Sequence, residues 1–271
     1  MIIPKIIFIV PYRNRYEERQ HFSIYMNYIM QEYKDNYKIY YSHQNDNRPF
    51  NRGAVKNIGF LIIKKMYPND YKNITIVFND LDTIPYKKNL IDYDTELNKV
   101  KHFYGFTYAL GGIVSIKGED FEKCNGFPNN WGWGLEDNEL NNRVIQNNIE
   151  IDRGNFFKIG SPEFIHITDS PYRTYSRQEV KNYSKKSLFD NLNTINNIDY
   201  DIQAFCNNNK INENNNNNEN NNNEFIININ NFKTLYDYQN NNFYEQNVSK
   251  NAKLYSNPRH HNSELKIKFL N

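Results

Sequence analysis

The sequence predicts an α/β fold, a central sheet with helices packed against it. Short apolar runs at Ile6–Val10 and Ile74–Phe78 have the pattern of buried strands, and Tyr37–Tyr41 reads as another strand. Between them lie Glu17–Glu32 and Ala54–Lys65, each with apolar residues at helical spacing. The residues best suited to chemistry follow the strands directly, where open α/β sheets bind their ligands.

The length of 271 residues allows one large domain with a buried core, or one domain plus an appendage. A net charge of +2 is too near balance to argue for nucleic-acid binding by bulk electrostatics. The 22 Tyr and 18 Phe, with abundant Asn, Ile and Lys, match the coding bias of an AT-rich genome, so any single Tyr, Asn or Lys carries little functional weight. Cys124 and Cys206 stand far apart and make no disulfide framework, which sets a reducing, cytoplasmic compartment as the expectation. The apolar start is broken by Pro4 and Lys5. It is too short to span a bilayer and lacks a signal-peptide layout, and no later segment is long enough to cross one.

Taken in order, the first strand runs into Pro11-Tyr12-Arg13-Asn14-Arg15. Two arginines at the C-terminal end of a buried strand suit a phosphate or carboxylate, which guanidinium forks grip bidentately. Helix Glu17–Glu32 is expected to bury Phe22, Tyr25, Met26 and Ile29. After the polar loop Ser42–Pro49, Phe50-Asn51-Arg52-Gly53 opens helix Ala54–Lys65, with Val55, Ile58, Gly59 and Ile62 inward. An arginine at a helix N-terminus is a second anion-friendly position. Strand Ile74–Phe78 leads into Asn79-Asp80-Leu81-Asp82. Alternate residues of an extended chain face one side, so Asp80 and Asp82 are expected to approach one point and hold a hard cation such as Mn²⁺ or Mg²⁺ against a diphosphate. A bare Asp-x-Asp is commonly a polar turn, and its place after a buried strand is what makes it informative. Gly111-Gly112 either lets backbone approach a ligand closely or makes a tight bend.

Asn125–Arg143, NGFPNNWGWGLEDNELNNR, holds the chain's only two tryptophans. Its Pro, Asn and Gly mark a loop, and Leu135–Arg143 reads as a helix start with carboxylates where the helix dipole favours them. Aromatic faces stack on sugar rings, and carboxylates accept hydrogen bonds from hydroxyls and act as bases. Beyond it, Ile149–Ile151 and Phe156–Ile159 read as short strands. Of the six histidines His166 stands out, because Glu163 and Asp169 are spaced so that some of the three complete a metal shell. The expected organisation is a catalytic domain over 1–205, an Asn-rich low-complexity insert over 206–224, and a C-terminal segment over 225–271 with a closing strand at Phe225–Asn230.

Together these motifs resemble the β-1,4-galactosyltransferase family, glycosyltransferase family 7. The resemblance rests on Pro11–Arg15, Phe50-Asn51-Arg52 with Asn57-Ile58-Gly59-Phe60, Asp80-Leu81-Asp82-Thr83-Ile84-Pro85, Gly111-Gly112, Asn125–Glu139 and His166, in the family's order from about Pro4 to Asp169, with a weaker echo at Asp190–Asn193. It implies a GT-A fold, a mixed nucleotide-binding sheet flanked by helices. It also implies a Mn²⁺-dependent, inverting transfer from a UDP-sugar to a glycan hydroxyl, with Mg²⁺ as the alternative metal. By the same resemblance Pro11, Tyr12, Arg13 and Arg15, with Phe50 and Arg52, hold uridine and diphosphate. Asp80 contacts the donor ribose or sugar, and Trp133 packs over the donor sugar. Asp82 and His166 hold the metal, with Glu163 where the family has a ligating Met. Asp137 is the base, and Trp131, Glu136 and Asn138 face the acceptor.

The chain departs from the pattern in four places. A Tyr is missing before Trp131. The family's Gly-Gly-Glu-Asp-Asp-Asp reads Gly134-Leu135-Glu136-Asp137-Asn138-Glu139. Glu163 replaces the Met, and Ala109 aligns with the Tyr that restricts relatives to galactose. The smaller Ala109 opens the donor to galactose, GalNAc, GlcNAc or glucose. The departures also motivate a second expectation, a non-catalytic sugar- or nucleotide-binding module on the same fold.

Overall fold

A computed structural model describes residues 3–167, 172–186, 188–205 and 223–247. In chain order the elements are β1 (Ile6–Tyr12), α1 (Tyr16–Ile29), β2 (Tyr37–Gln44), α2 (Arg52–Met66), β3 (Thr75–Asn79), β4 (Thr83–Pro85), β5 (Lys99–Gly105), β6 (Ile113–Lys117), α3 (Gly118–Lys123), α4 (Glu136–Gln146), β7 (Glu150–Asp152), β8 (Phe157–Lys158), β9 (Phe164–His166), β10 (Tyr172–Ser176), α5 (Arg177–Lys186), β11 (Asn196–Ala204), β12 (Glu224–Lys233) and β13 (Phe243–Asn247). The main sheet runs β11-β12-β2-β1-β3-β6-β5-β7, with β8 also on β5. Strands β12, β2, β1 and β3 are parallel, β6 turns antiparallel to β3, and the sheet is therefore mixed.

Strand β1 is buried along its whole length, and its alternation sorts the core. Ile7 and Ile9 pack on one face with Val55, Ile58 and Ile62 of α2, Phe121 of α3, and Leu140 and Val144 of α4. Ile6, Phe8 and Val10 pack on the other with Phe22, Met26 and Ile29 of α1. Tyr25, expected in that stripe, is 39% exposed and lies at its edge.

Because β1, β2 and β3 are parallel, their C-terminal ends open at one edge, with Arg13 and Arg15, His43 and Gln44, and Asn79 and Asp80 side by side. Strand β6 starts at that edge, since Asn79 pairs with Ile113, so Gly111-Gly112 joins it. Two small antiparallel ladders flank the edge: β4 with β9, and β10 with β13.

The C-terminal segment contributes to the main sheet. The strand expected at Phe225–Asn230 is β12, and it lies inside the main sheet between β11 and β2. Ile227, Ile229 and Phe232 are fully buried. The buried Glu224 carboxylate accepts from Ser23 Oγ (3.0 Å), Tyr41 Oη (2.7 Å) and Asn27. Residues 224–233 therefore belong to the same core as β1, not to an appendage. Residues 206–222 of the Asn-rich insert, Cys206 among them, and Asp169 and the tail with His260 and His261 lie outside the described residues. Among the described residues no helix is long and apolar enough to cross a membrane.

Candidate active site

The N-terminus of α2 is the first wall of the site. Asn51 caps it, its side chain accepting from Ala54 N–H at 3.0 Å. That fixes Arg52 in the first turn, where its guanidinium pairs with Asp80 and lies 3.7 Å from Glu136. One turn on, Lys56 reaches Asp137 at 2.7 Å. Arginine and lysine four residues apart share a helix face, so α2 presents two cations to the acids of α4 and β3.

These charges set one another's ionisation. Burial opposes the charged form of Asp80, but Arg52 and Lys56 outweigh it and hold the carboxyl below its ordinary value. Burial and the neighbouring charge of Asp137 push Glu136 up, against Arg52 and Lys56. Burial also works against the Arg52 charge, and Asp80, Asp137 and Glu136 more than restore it. Asp80 thus stays an acceptor, while Glu136 is the carboxyl that more readily keeps a proton.

Asp80–Asp82 is a turn rather than extended chain, closed by Thr83 N–H donating to Asp80 O at 3.1 Å. The two aspartates therefore take different partners, contrary to the alternation expected. Asp80 faces Arg52, and Asp82 faces Arg15 at 3.4 Å. Pairing of β4 with β9 sets Thr83 opposite His166. Thr83 Oγ1 lies 3.2 Å from Asp82 Oδ1 and 3.4 Å from His166 Nδ1, so a carboxylate oxygen and an imidazole nitrogen border one hydroxyl. That oxygen–nitrogen pair fits Mn²⁺ better than Mg²⁺, which favours oxygen alone.

Glu163 does not join them. It precedes β9 by one residue and sits in a turn closed by Phe164 N–H donating to Ser161 O at 3.1 Å. Its carboxylate is taken up by Ser161 Oγ, and its carbonyl accepts from Tyr86 N–H at 2.7 Å. Among the described residues no three of His, Cys, Asp and Glu are grouped to hold a metal. The three-ligand shell of Asp82, Glu163 and His166 is thus reduced to Asp82 and His166.

The two tryptophans part company. Trp131 is 2% exposed, stacks on Phe232 of β12, and donates its indole N–H to Thr234 Oγ1 and Tyr236 O. It is a core anchor, not the acceptor-facing residue expected. Trp133 is 41% exposed, edge-on to Tyr175, and its backbone N–H donates to Thr174 O on β10. Of the two, only Trp133 keeps part of its surface open. Asn129, Asp190 and Arg143 clamp the preceding loop: Asp190 accepts from Asn129 N–H and Nδ2, and Arg143 donates to the carbonyls of Gly126 and Asp190. The weak echo at Asp190–Asn193 is this clamp, with Asn191 and Thr194 forming a capping box.

Asp137 sits in the first turn of α4, and its carbonyl accepts from Leu110 N–H at 2.9 Å. Its carboxylate fills the space that Gly111 leaves open: a Cβ there would stand 2.8 Å from Asp137 Cγ and closer still to Oδ2. Gly112, at φ +75°, backs against the Tyr104 carbonyl: a Cβ there would stand 2.9 Å from the carbonyl carbon and closer still to its oxygen. Leu135, where the family has glycine, holds φ +73° to start the acid run, a strained conformation for a bulky residue. Asn138 Nδ2 lies 3.4 Å from Tyr108 O beside Asp137.

At the β1 end, Pro11 pairs with Ser42 within the sheet. Tyr12 is buried, stacked on His43 at 4.5 Å, and its hydroxyl accepts from Arg19 at 2.8 Å, so it walls the β1 end of the site. Arg13 donates to Arg48 O, and its buried Nε has no hydrogen-bond partner among the described residues. The Phe50 carbonyl accepts from Gly132 N–H, tying α2 to the tryptophan loop.

Sequence reasoning missed Lys56, whose spacing reads as one more core position of α2, and His102. Buried His102 donates from Nε2 to the Gly111 and Tyr104 carbonyls, and its Nδ1 accepts from Arg153. No motif marks either, because their roles exist only across elements.

Comparison with known proteins bears on the family and the fold. A family model described as the N-terminal region of glycosyl transferase group 7 matches residues 2–93, and one described as the N-terminal domain of galactosyltransferase matches residues 92–168. Mouse β-1,4-galactosyltransferase 1 is 29% identical over 213 residues, 74% of this chain and 52% of its own length. Drosophila melanogaster β-1,4-galactosyltransferase 7 is 29% identical over 211 residues, 74% of this chain and 64% of its own. The chain thus spans between half and two thirds of these curated relatives. The crystal structure of the Drosophila β-1,4-galactosyltransferase 7 catalytic domain with xylobiose superposes with a TM-score of 0.61 at 20% identity, covering 88% of this chain and 97% of that one. A mutant of that enzyme with manganese, UDP-Gal and xylobiose gives 0.63 at 21% identity, with the same coverage. At such identities the likeness speaks to the fold.

Proposed function

The chain belongs to the β-1,4-galactosyltransferase family, glycosyltransferase group 7, and from that premise we propose that it is an inverting glycosyltransferase. It moves a hexose or N-acetylhexosamine from a UDP-sugar to a hydroxyl of a glycan acceptor. The observation that carries the reading is the convergence at one sheet edge of an arginine side, Arg13 and Arg15, and an acid side led by Asp137. The relative solved with manganese, UDP-Gal and xylobiose supports the same class of donor and acceptor.

The chemistry follows from the residues. Arg13 and Arg15 take the diphosphate, the unpartnered Arg13 Nε being a donor available to a phosphate oxygen. Asp82 and His166 would hold a divalent cation, which supplies charge neutralisation on the departing diphosphate. Asp137 takes the proton of the acceptor hydroxyl as that oxygen bonds to the anomeric carbon. The bond from that carbon to the UDP oxygen breaks, and its electron pair leaves on the diphosphate, which needs no proton. Trp133 covers the sugar and limits water, while Glu136 and Asn138 lie beside Asp137 for the acceptor's other hydroxyls.

The test is a UDP-release screen across UDP-galactose, UDP-GalNAc, UDP-GlcNAc and UDP-glucose, with Mn²⁺ and with Mg²⁺, with and without simple saccharide acceptors. Acceptor-stimulated UDP release that Asp137→Asn abolishes, with UDP binding retained, is expected. UDP binding with no turnover on any donor would replace this reading with that of a binding module.

A further inference from the structure

Lys56 stands at the inner end of the site, one turn beyond Arg52. At 1% exposed it is one of the largest fully buried side chains of the protein. A buried ammonium is costly unless a charge compensates it. Here Asp137 Oδ1 accepts its hydrogen bond at 2.7 Å, and the Phe127 ring lies under the ammonium with its centroid 4.5 Å away. Of the two cations that α2 presents to the site, Arg52 lies in ion-pair contact with Asp80 and Glu136, and Lys56 with Asp137.

The pair leaves Asp137 asymmetric. Oδ1 is tied to Lys56, and Oδ2 rests in the space over Gly111. The Asp137 side chain keeps 19% exposure, whereas Lys56 keeps 2%, so the cleft reaches the carboxylate and not the ammonium. Lys56 therefore cannot touch an acceptor sugar. The geometry points to Lys56 as a positioning residue that fixes the rotamer of Asp137 through Oδ1 and leaves Oδ2 as the oxygen that takes the acceptor's proton. This rests on the transferase reading above. The balance is that of the transfer already described, with the hydroxyl proton ending on Oδ2 and Lys56 gaining and losing none.

A double-mutant cycle of Lys56→Met, Asp137→Asn and the pair tests it by kinetics and by equilibrium unfolding. Lys56→Met should lower kcat about a hundredfold, the cost of an ångström of misplacement, with donor KM and UDP binding within about twofold. Lys56→Arg should recover part of the loss. The double variant should be no slower than Asp137→Asn alone, because the hydrogen bond of Lys56 goes to Asp137. Multiplying losses, or a loss confined to KM, would overturn the assignment. Unfolding reads the same contact without turnover: the double variant should be more stable than the sum of the single losses implies, and strict additivity would refute the pair. Wild type that binds UDP but transfers nothing sinks the transferase reading, while the unfolding cycle still decides the contact. If Lys56→Met does not fold, Lys56→Gln takes its place in both measurements.

Discussion

Substituting Gly111 by alanine puts the Asp137 assignment under a steric test. The new methyl would stand 2.8 Å from Asp137 Cγ, where ordinary contact begins at 3.4 Å, so the carboxyl carbon must retreat by 3.4 − 2.8 = 0.6 Å and Oδ2 by more. Gly111 is not among the glycines with positive φ, so alanine can adopt its backbone without strain. Asp137 cannot yield freely: its backbone is held in the first turn of α4 and its Oδ1 by Lys56. A displacement of 0.6 Å to 1 Å in a reacting group corresponds to roughly a 30- to 100-fold loss of rate. Gly111→Ala should therefore lower kcat by that factor while leaving UDP affinity close to wild type. The assay is initial-rate UDP release at saturating donor, with UDP binding measured by calorimetry on the same preparations. An unchanged kcat, or a kcat loss matched by lost UDP binding, would refute the argument that Asp137 acts from the space over Gly111.

Three further outcomes are expected. Trp131→Ala should cost about 3–5 kcal/mol in chemical denaturation, because it empties a core position stacked on Phe232. Trp133→Ala should cost less than about 1 kcal/mol and slow transfer instead. Glu163→Ala should leave Mn²⁺ dependence unchanged, whereas His166→Ala or Asp82→Asn should abolish it in a metal titration of UDP binding. His102 gives a pH signature: burial first, and the charge of Arg153 second, push it down from 6.5 to about 4. Between those values the unfolded chain takes up a proton that the folded one refuses, so stability is complete above pH 6.5 and falls with pH by up to ~3 kcal/mol at pH 4. Urea unfolding at stepped pH, compared with His102→Gln, should show that slope flattened in the variant.

The elements themselves were legible because each is written locally. The runs at Ile6–Val10 and Ile74–Phe78 became β1 and β3, the acid run opened α4 at Glu136, and FIININ became β12. Strand alternation and helical spacing are properties of neighbouring residues, so a single chain displays them. The order of motifs in turn gave the family, and with it Arg13, Asp82, Asp137 and His166 as the residues to watch.

Assignments between elements were decided by the tertiary structure alone. Trp131 and Trp133 are two residues apart in identical loop chemistry, yet one meets Phe232 from across the chain and is core. Glu163 has the right charge at a plausible spacing, and the turn that leads into β9 sets it against Ser161. Lys56 looks like a surface lysine misplaced on an apolar face until α4 brings Asp137 against it. What the sequence determined by itself was the α/β class, the family and the cast of acids and arginines, because local pattern and motif order suffice for those. Which face each side chain meets, and so which carboxylate is left open to a sugar, was settled only when distant segments packed, because burial and charge pairing are relations between residues that the chain keeps far apart.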